Sequence, residues 1–215
     1  MVRKIKNLTE LAQTEHQRIF DGRATGESTV HFKIPDARNL LMRGLYHFLG
    51  ERAVWQPEYE EVVEWLSDNK GKGLLLYGSC GRGKTLIAQK IIPVIFEYYL
   101  RKIIPCFTSR ELNEKYSEIS QYKLLSIDDV GQEDNVKVYG TTHKYFSELV
   151  DEAERHNKLL VLTTNLRKTI ARDAAGNVIP DIPSLEARYD IRTVSRLRVL
   201  TKDICFQGDD LRGRE

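Results

Sequence analysis

The sequence predicts an α/β fold: a parallel sheet with helices on both faces. Three observations carry that reading. From about Trp55 onward, apolar runs of strand length alternate with stretches of helical periodicity. One run, Gly73–Tyr77, leads directly into Gly78-Ser79-Cys80-Gly81-Arg82-Gly83-Lys84-Thr85, a G-x-x-x-x-G-K-T loop, and then into a long helical stretch. Another, Lys123–Ile127, ends in two carboxylates, Asp128 and Asp129.

Composition allows this fold and excludes others. A chain of 215 residues, 41% hydrophobic and 30% charged, has enough apolar matter for a real core. No run of about 18 apolar residues is present, so no membrane span is expected. The first residues, MVRKIKNLTELAQ, are basic but lack the apolar stretch of a secretory signal. Cys80, Cys106 and Cys205 are odd in number, far apart and outside metal-ligand spacing, which argues for reduced thiols and a cytoplasmic location. A net charge of +2 does not by itself announce nucleic acid.

Taken in order, the elements begin with an N-terminal arm, residues 1–50. Leu8, Leu11 and Ile19 mark one short amphipathic piece, and Leu40, Leu41, Leu45 and Phe48 a second. The loop Asp21–Thr29 and the break Ile34-Pro35-Asp36 interrupt them. The arm either packs on the main domain or binds a partner. In the main domain, residues 51–215, Glu58–Asn69 is a helix by the spacing of Tyr59, Val62, Val63 and Leu66. Thr85–Leu100, Arg110–Ile119, Tyr139–His156 and Ser184–Arg198 are the further helices. Gly73–Tyr77, Ile103–Phe107, Lys123–Ile127, Leu159–Thr163 and Leu200–Phe206 are the strands.

The loop from Gly78 to Thr85 carries the clearest chemistry. Glycines let backbone N–H groups approach phosphate oxygens without Cβ clashes, and the following helix N-terminus favours the anion. Ser79, Cys80, Arg82 and Leu86 complete the expected nucleotide-binding segment around Gly78, Gly81 and Gly83. Lys84 adds a point charge at the β/γ-phosphates, and Thr85 a hydroxyl for Mg²⁺. Cys80 reads as a tolerated small residue.

Asp128 and Asp129 read as a Walker B element on a strand beside the phosphate loop. Asp128 then joins the Mg²⁺ shell, and Asp129 orients or deprotonates the attacking water. Glu133 is a second candidate for the acid. Two acids at a strand end also serve as ordinary turn residues. Thr164-Asn165 ends the next strand, where an amide next to the second acid can hold the lytic water. Arg188, Arg192 and Arg196 recur every four residues, near one stripe of a single helix. Such a stripe is either a solvated face or a set of cations aimed at a neighbour's phosphate.

The series GSCGRGKT, LLSIDDVG, LTTNL and RTVSRL, from about Trp55 to Arg212, resembles the AAA+ ATPases of the DnaC-type helicase-loader and DnaA-type initiator group, with IstB-like ATPases as relatives. The resemblance implies a three-layer α/β/α sandwich, ATP and Mg²⁺. Asn165 matches sensor 1, Arg196 the trans-acting arginine finger and Arg192 an adjacent interface arginine. ATP then sits between protomers, so the chain self-associates, with a replicative DNA helicase and single-stranded DNA as partners. Nine residues follow Phe206, so a full helical lid is not expected and no sensor 2 arginine is placed. The arm is shorter than a typical loader's helicase-binding domain and has no zinc ligands.

DNA contacts would come from Lys102, Arg110, Lys115, Lys137 and Lys144, with Tyr116, Tyr122 or Tyr139 as stacking partners. Three other functions compete with helicase loading. One is a transposition-associated, IstB-like remodelling ATPase. Another is a nucleotide-gated binding module with little turnover. The third is a metabolic kinase, for which the sequence shows no lid motif.

Overall fold

The computed structural model describes residues 29–134, 136–138, 141–179 and 182–212. The first amphipathic piece of the arm and residues 21–28 of its loop lie outside the described residues. The helices are α1 (Ala37–Leu49), α2 (Tyr59–Ser67), α3 (Lys84–Leu86, Ile87–Ile91 and Ile92–Leu100 in succession), α4 (Ser109–Ile119), α5 (Tyr145–His156), α6 (Leu185–Arg188) and α7 (Ile191–Leu200). The strands are β1 (Gly73–Gly78), β2 (Cys106–Thr108), β3 (Leu124–Asp128), β4 (Val136–Val138), β5 (Thr141–His143), β6 (Leu159–Thr164) and β7 (Thr201–Phe206).

β2-β3-β6-β1-β7 form one sheet, parallel at every pairing. Period-two alternation sends neighbouring side chains to opposite faces. Leu74 and Leu76 therefore join a core with α1, α2 and α3, while Leu75 joins one with α4, α5, α6 and α7. Helices on both faces explain why these strands read as unbroken apolar runs. Of the second piece of the arm, Leu41 and Leu45 are buried in the first core and Leu40 packs against it, whereas Phe48 is exposed. Phe32, Ile34 and Ala37, ahead of them, are also buried there, and the Phe32 ring meets Trp65 and Phe96 edge-on. Full burial of a side chain such as Leu41 contributes roughly 1.5–3 kcal/mol.

α3 widens just past the phosphate loop into a π turn, Ile87–Ile91. The cause is Pro93, which has no N–H to give. In the turn, Ile92 N donates to Ile87 O. The same spacing would ask Pro93 to donate to Ala88 O. Ser126 Oγ on β3 donates there instead, at 3.2 Å, and accepts from Gln89 Nε2 at 3.0 Å. A helix irregularity thus ties α3 to the strand that carries the acids.

Four expectations need correction. β3 does not lie beside β1, because β6 is inserted between them. The expected strand Ile103–Phe107 shortens to Cys106–Thr108, since Pro105 cannot donate to a ladder. The expected helix from Tyr139 begins only at Tyr145, and an antiparallel hairpin, β4 with β5, precedes it. The expected helix Ser184–Arg198 is broken in two. Asp190, with φ of 151°, caps α7 by accepting from Thr193 N at 2.7 Å. Arg188 is thereby separated from the stripe, and Arg192 and Arg196 alone share a helix.

Candidate nucleotide-binding site

The site lies at the C-terminal ends of β1, β3 and β6, where a parallel sheet presents its loops. β1 delivers the loop Gly78–Thr85. At Gly81, with φ of 71°, a Cβ would stand within 1.6 Å of the Asp210 carboxylate. At Gly78, with φ of 118°, it would stand 2.3 Å from Phe206 O. Both positive φ values favour glycine; at Gly78 the Phe206 backbone also leaves no room for a Cβ, whereas at Gly81 the obstacle is a side-chain carboxylate that can move aside. Segment 207–212 lies against the loop: Leu211 N donates to Gly81 O at 3.1 Å, and Arg212 forks onto Asp210, with Nη2 to Oδ2 at 2.8 Å.

Lys84 is buried, and its Nζ donates to two carbonyls of its own loop, Ser79 O at 2.6 Å and Gly78 O at 3.1 Å. Burial lowers its pKa, while the carboxylates of Asp129 and Asp128 push the other way. The ammonium thus shares an electrostatic neighbourhood with both acids. Ser79 is partly exposed, Cys80 and Thr85 are exposed, and Leu86 is partly buried in the first turn of α3.

Arg82 departs from expectation. Its guanidinium is turned into protein, donating to Glu58 Oε1 through Nη2 at 2.7 Å and Nε at 3.0 Å. Gln56 Oε1 takes a further bond from Nη2 at 2.8 Å. Both ionic side chains are only 8% exposed. Arg82 is a staple between the loop and the entry to α2, and only its backbone remains for phosphate. Tyr59 backs the same turn, donating to Arg82 O at 3.3 Å, and burial pushes its phenol up to about 12.

β3 and β6 build the acidic side. Thr163 Oγ1 donates to Asp128 Oδ1 at 2.5 Å and accepts from Asp129 N at 3.0 Å. Asp129 has φ of 53°, a left-handed conformation that Ser109 Oγ supports by donating to Asp129 O at 2.8 Å. Val130 N donates to Thr163 O at 2.8 Å, and Thr164 Oγ1 to Val130 O at 2.6 Å. The acid turn is thus fastened to the end of β6. Burial raises the Asp129 pKa, reinforced by Asp128 and opposed by Lys84 and Arg110. Asn165 is exposed, with Nδ2 3.4 Å from Asp129 Oδ1.

Glu133 is not available as a second acid. It is buried, accepts from the Tyr189 hydroxyl and from Gly131 N at 2.9 Å, and lies 3.9 Å from Arg188 Nε. Arg196 pairs within the chain with Asp151 and with Glu154, the latter at 2.6 Å. Arg192 is 71% exposed and 3.8 Å from Asp151.

Several of the candidate DNA contacts are engaged within the chain. Lys144 Nζ is spent on Arg188 O and Tyr189 O, at 3.0 and 3.1 Å. Lys115 pairs with Glu111 at 3.1 Å. Tyr116 stacks on Tyr145 at 4.7 Å, and Tyr122 lies against Phe107 at 5.9 Å. Arg110 lies in the field of Asp129, and Lys102 is exposed beyond α3. The side chain of Lys137 and the whole of Tyr139 lie outside the described residues.

Glu58, Gln56, Tyr59, Ser109, Thr163 and Asp210 shape the site and carried no motif signal. Among the described residues, no three His, Cys, Asp or Glu side chains gather to hold a metal alone. A Mg²⁺ arriving on a nucleotide fits this donor set, since it takes one or two protein oxygens and keeps phosphate and water for the rest. No helix among the described residues is long and apolar enough to cross a membrane.

A family model for the novel STAND NTPase 3 matches residues 54–204. No curated protein matches. Solved structures that match include DnaI, 23% identical, with 91% of this chain and 93% of that chain covered and a TM-score of 0.43. The DnaC helicase loader is 18% identical, with 82% and 93% covered and a TM-score of 0.42. Domain III of the Thermotoga maritima replication initiation protein DnaA is 19% identical, with 74% and 67% covered and a TM-score of 0.47. Likeness at that level carries no statement of function. The family match spans more than half of the chain and contains both the phosphate loop and the acid pair: the chain belongs to the novel STAND NTPase 3 family.

Proposed function

We propose that the chain binds ATP with Mg²⁺ and hydrolyses it at a site completed by a second copy, and that this cycle helps load a replicative helicase onto single-stranded DNA. The observation that supports the chemistry is the convergence of Lys84, Asp128, Asp129 and Asn165 at one end of the sheet, with Thr163 fixing both acids. The backbone of Gly78–Thr85 cradles the phosphates, and Lys84 leaves its loop carbonyls for the β/γ oxygens. Thr85 and Asp128 would hold Mg²⁺, which supplies charge neutralisation at the β and γ oxygens when bound. Asp129 takes the proton of the attacking water, and Asn165 orients that water. Arg196, with Arg192 beside it, faces the γ-phosphate bound by the neighbouring copy. The helicase role rests on the joint resemblance of GSCGRGKT, LLSIDDVG, LTTNL and RTVSRL to loader-type ATPases.

Nucleotide binding and turnover by Lys84→Ala and Arg196→Ala proteins, alone and mixed, test the shared site. Lys84→Ala should lose nucleotide binding, and Arg196→Ala should keep binding but lose turnover. Mixing should restore activity, because each protein supplies the half the other lacks. Absence of rescue counts against a trans-acting Arg196. For the partner, Asp129→Asn protein held on a column with ATP and Mg²⁺ should retain a replicative helicase that Lys84→Ala does not. Retention of a transposase instead moves the role to the IstB-like reading.

A further inference from the structure

Arg192 and Arg196 lie one turn apart on α7, so both project from one face. Asp151 and Glu154, three residues apart on α5, face them. Val194 and Leu197 are buried with Val150 and Ala153 in the second core, which packs the two helices together. Within that frame Arg196 Nη1 pairs with Asp151 Oδ1, Arg196 Nε with Glu154 Oε2 at 2.6 Å, and Arg192 Nη2 approaches Asp151 Oδ2 at 3.8 Å. Two carboxylates thus stand against two guanidinium groups. The Arg196 side chain is only 20% exposed, whereas Arg192 is 71% exposed.

A cation in that state is poorly set to attract a phosphate. Its two engaged nitrogens point at carboxylates, and an incoming anion meets their repulsion before it meets the guanidinium. The pair is also partly solvated, so it is held by a modest free energy and can be exchanged.

We propose that Asp151 and Glu154 are an internal latch on Arg196. They occupy it in the isolated chain and release it to the nucleotide-loaded site of a second copy, which makes turnover depend on assembly. The proposal rests on the reading of Arg196 as a trans-acting cation. It adds a control that the phosphate loop and acid pair do not supply: a threshold of protein concentration set by two carboxylates on α5. Arg192, exposed and weakly held, is free to make the first contact while Arg196 follows.

The test is ATPase activity per mole across protein concentration for wild type, Asp151→Asn with Glu154→Gln, and Arg196→Ala. Sedimentation of each with a non-hydrolysable ATP analogue and Mg²⁺ is run in parallel. The amides keep side-chain size while removing both charges. Loss of both partly exposed ion pairs on Arg196, together with the weak Arg192–Asp151 pair, should lower the concentration for half-maximal specific activity by about three- to tenfold. The sedimenting assembly should appear at correspondingly lower concentration, and the saturating rate should match wild type. An unchanged threshold overturns the latch. So does a loss of turnover as deep as that of Arg196→Ala, which would mean the carboxylates present Arg196 rather than withhold it. If Arg196→Ala itself keeps the wild-type concentration dependence, the underlying reading fails, a result separable from failure of the latch alone.

Discussion

The Thr163 hydroxyl joins the two acids of the site: Thr163 Oγ1 lies 2.5 Å from Asp128 Oδ1 and 3.0 Å from Asp129 N. One side chain on β6 therefore sets the orientation of a carboxylate and of the turn that follows it. Thr163→Val keeps the shape and removes the hydrogen-bonding oxygen, leaving a buried carboxylate oxygen and a partly buried amide without their partner. Urea unfolding should show a loss of about 1–3 kcal/mol. Turnover should fall more than nucleotide affinity, because the phosphate loop on β1 is untouched. Unchanged turnover would show that the bridge does not set the acids.

Arg82 gives a contrary expectation for a residue inside a phosphate loop. Its buried pair with Glu58 makes Arg82→Ala a stability variant first, costing about 3–5 kcal/mol by chemical denaturation because Glu58 is left uncompensated. Adding Glu58→Gln should recover part of that loss. If Arg82→Ala folds as firmly as wild type and only nucleotide affinity drops, the staple is not structural.

Gly81 holds a left-handed φ of 71° that a side chain resists. Gly81→Ala must also shift the Asp210 carboxylate. Nucleotide affinity, measured with a fluorescent ATP analogue, should fall at least about tenfold, the scale of the strain a non-glycine residue carries in that conformation. Wild-type affinity would mean that the loop does not depend on this turn.

Cys80 is exposed on the loop that would hold the phosphates. Its alkylation, followed by mass spectrometry against Cys106 as an internal reference, should slow when ATP and Mg²⁺ are added and not with adenosine. Equal labelling with and without ATP would place the nucleotide elsewhere.

The sheet and the helices on it were legible because each strand is a short apolar run and each helix keeps its period. The loop Gly78–Thr85 was legible because its chemistry is local: glycine spacing, a lysine and a strand before it. What escaped was non-local. Nothing near Arg82 in sequence announces Glu58, 24 residues upstream, so a loop arginine reads as a phosphate ligand. Thr163 reads as one more strand residue until β6 is seen between β1 and β3. β4 carries no strand signal of its own, and β5 falls within the helix expected from Tyr139. The broken arginine helix was missed because i, i+4 spacing continues across Asp190, whose capping role appears only with its φ of 151° and its bond to Thr193 N.

In the proposed reaction Asp129 drives hydrolysis of a nucleotide held by the Gly78–Thr85 loop. The most direct measurement is single-turnover ATP hydrolysis by Asp129→Asn protein, with ATP binding measured on the same sample. Binding should match wild type and hydrolysis should slow by about 10²-fold or more. Hydrolysis at the wild-type rate, with binding intact, would contradict that role for Asp129.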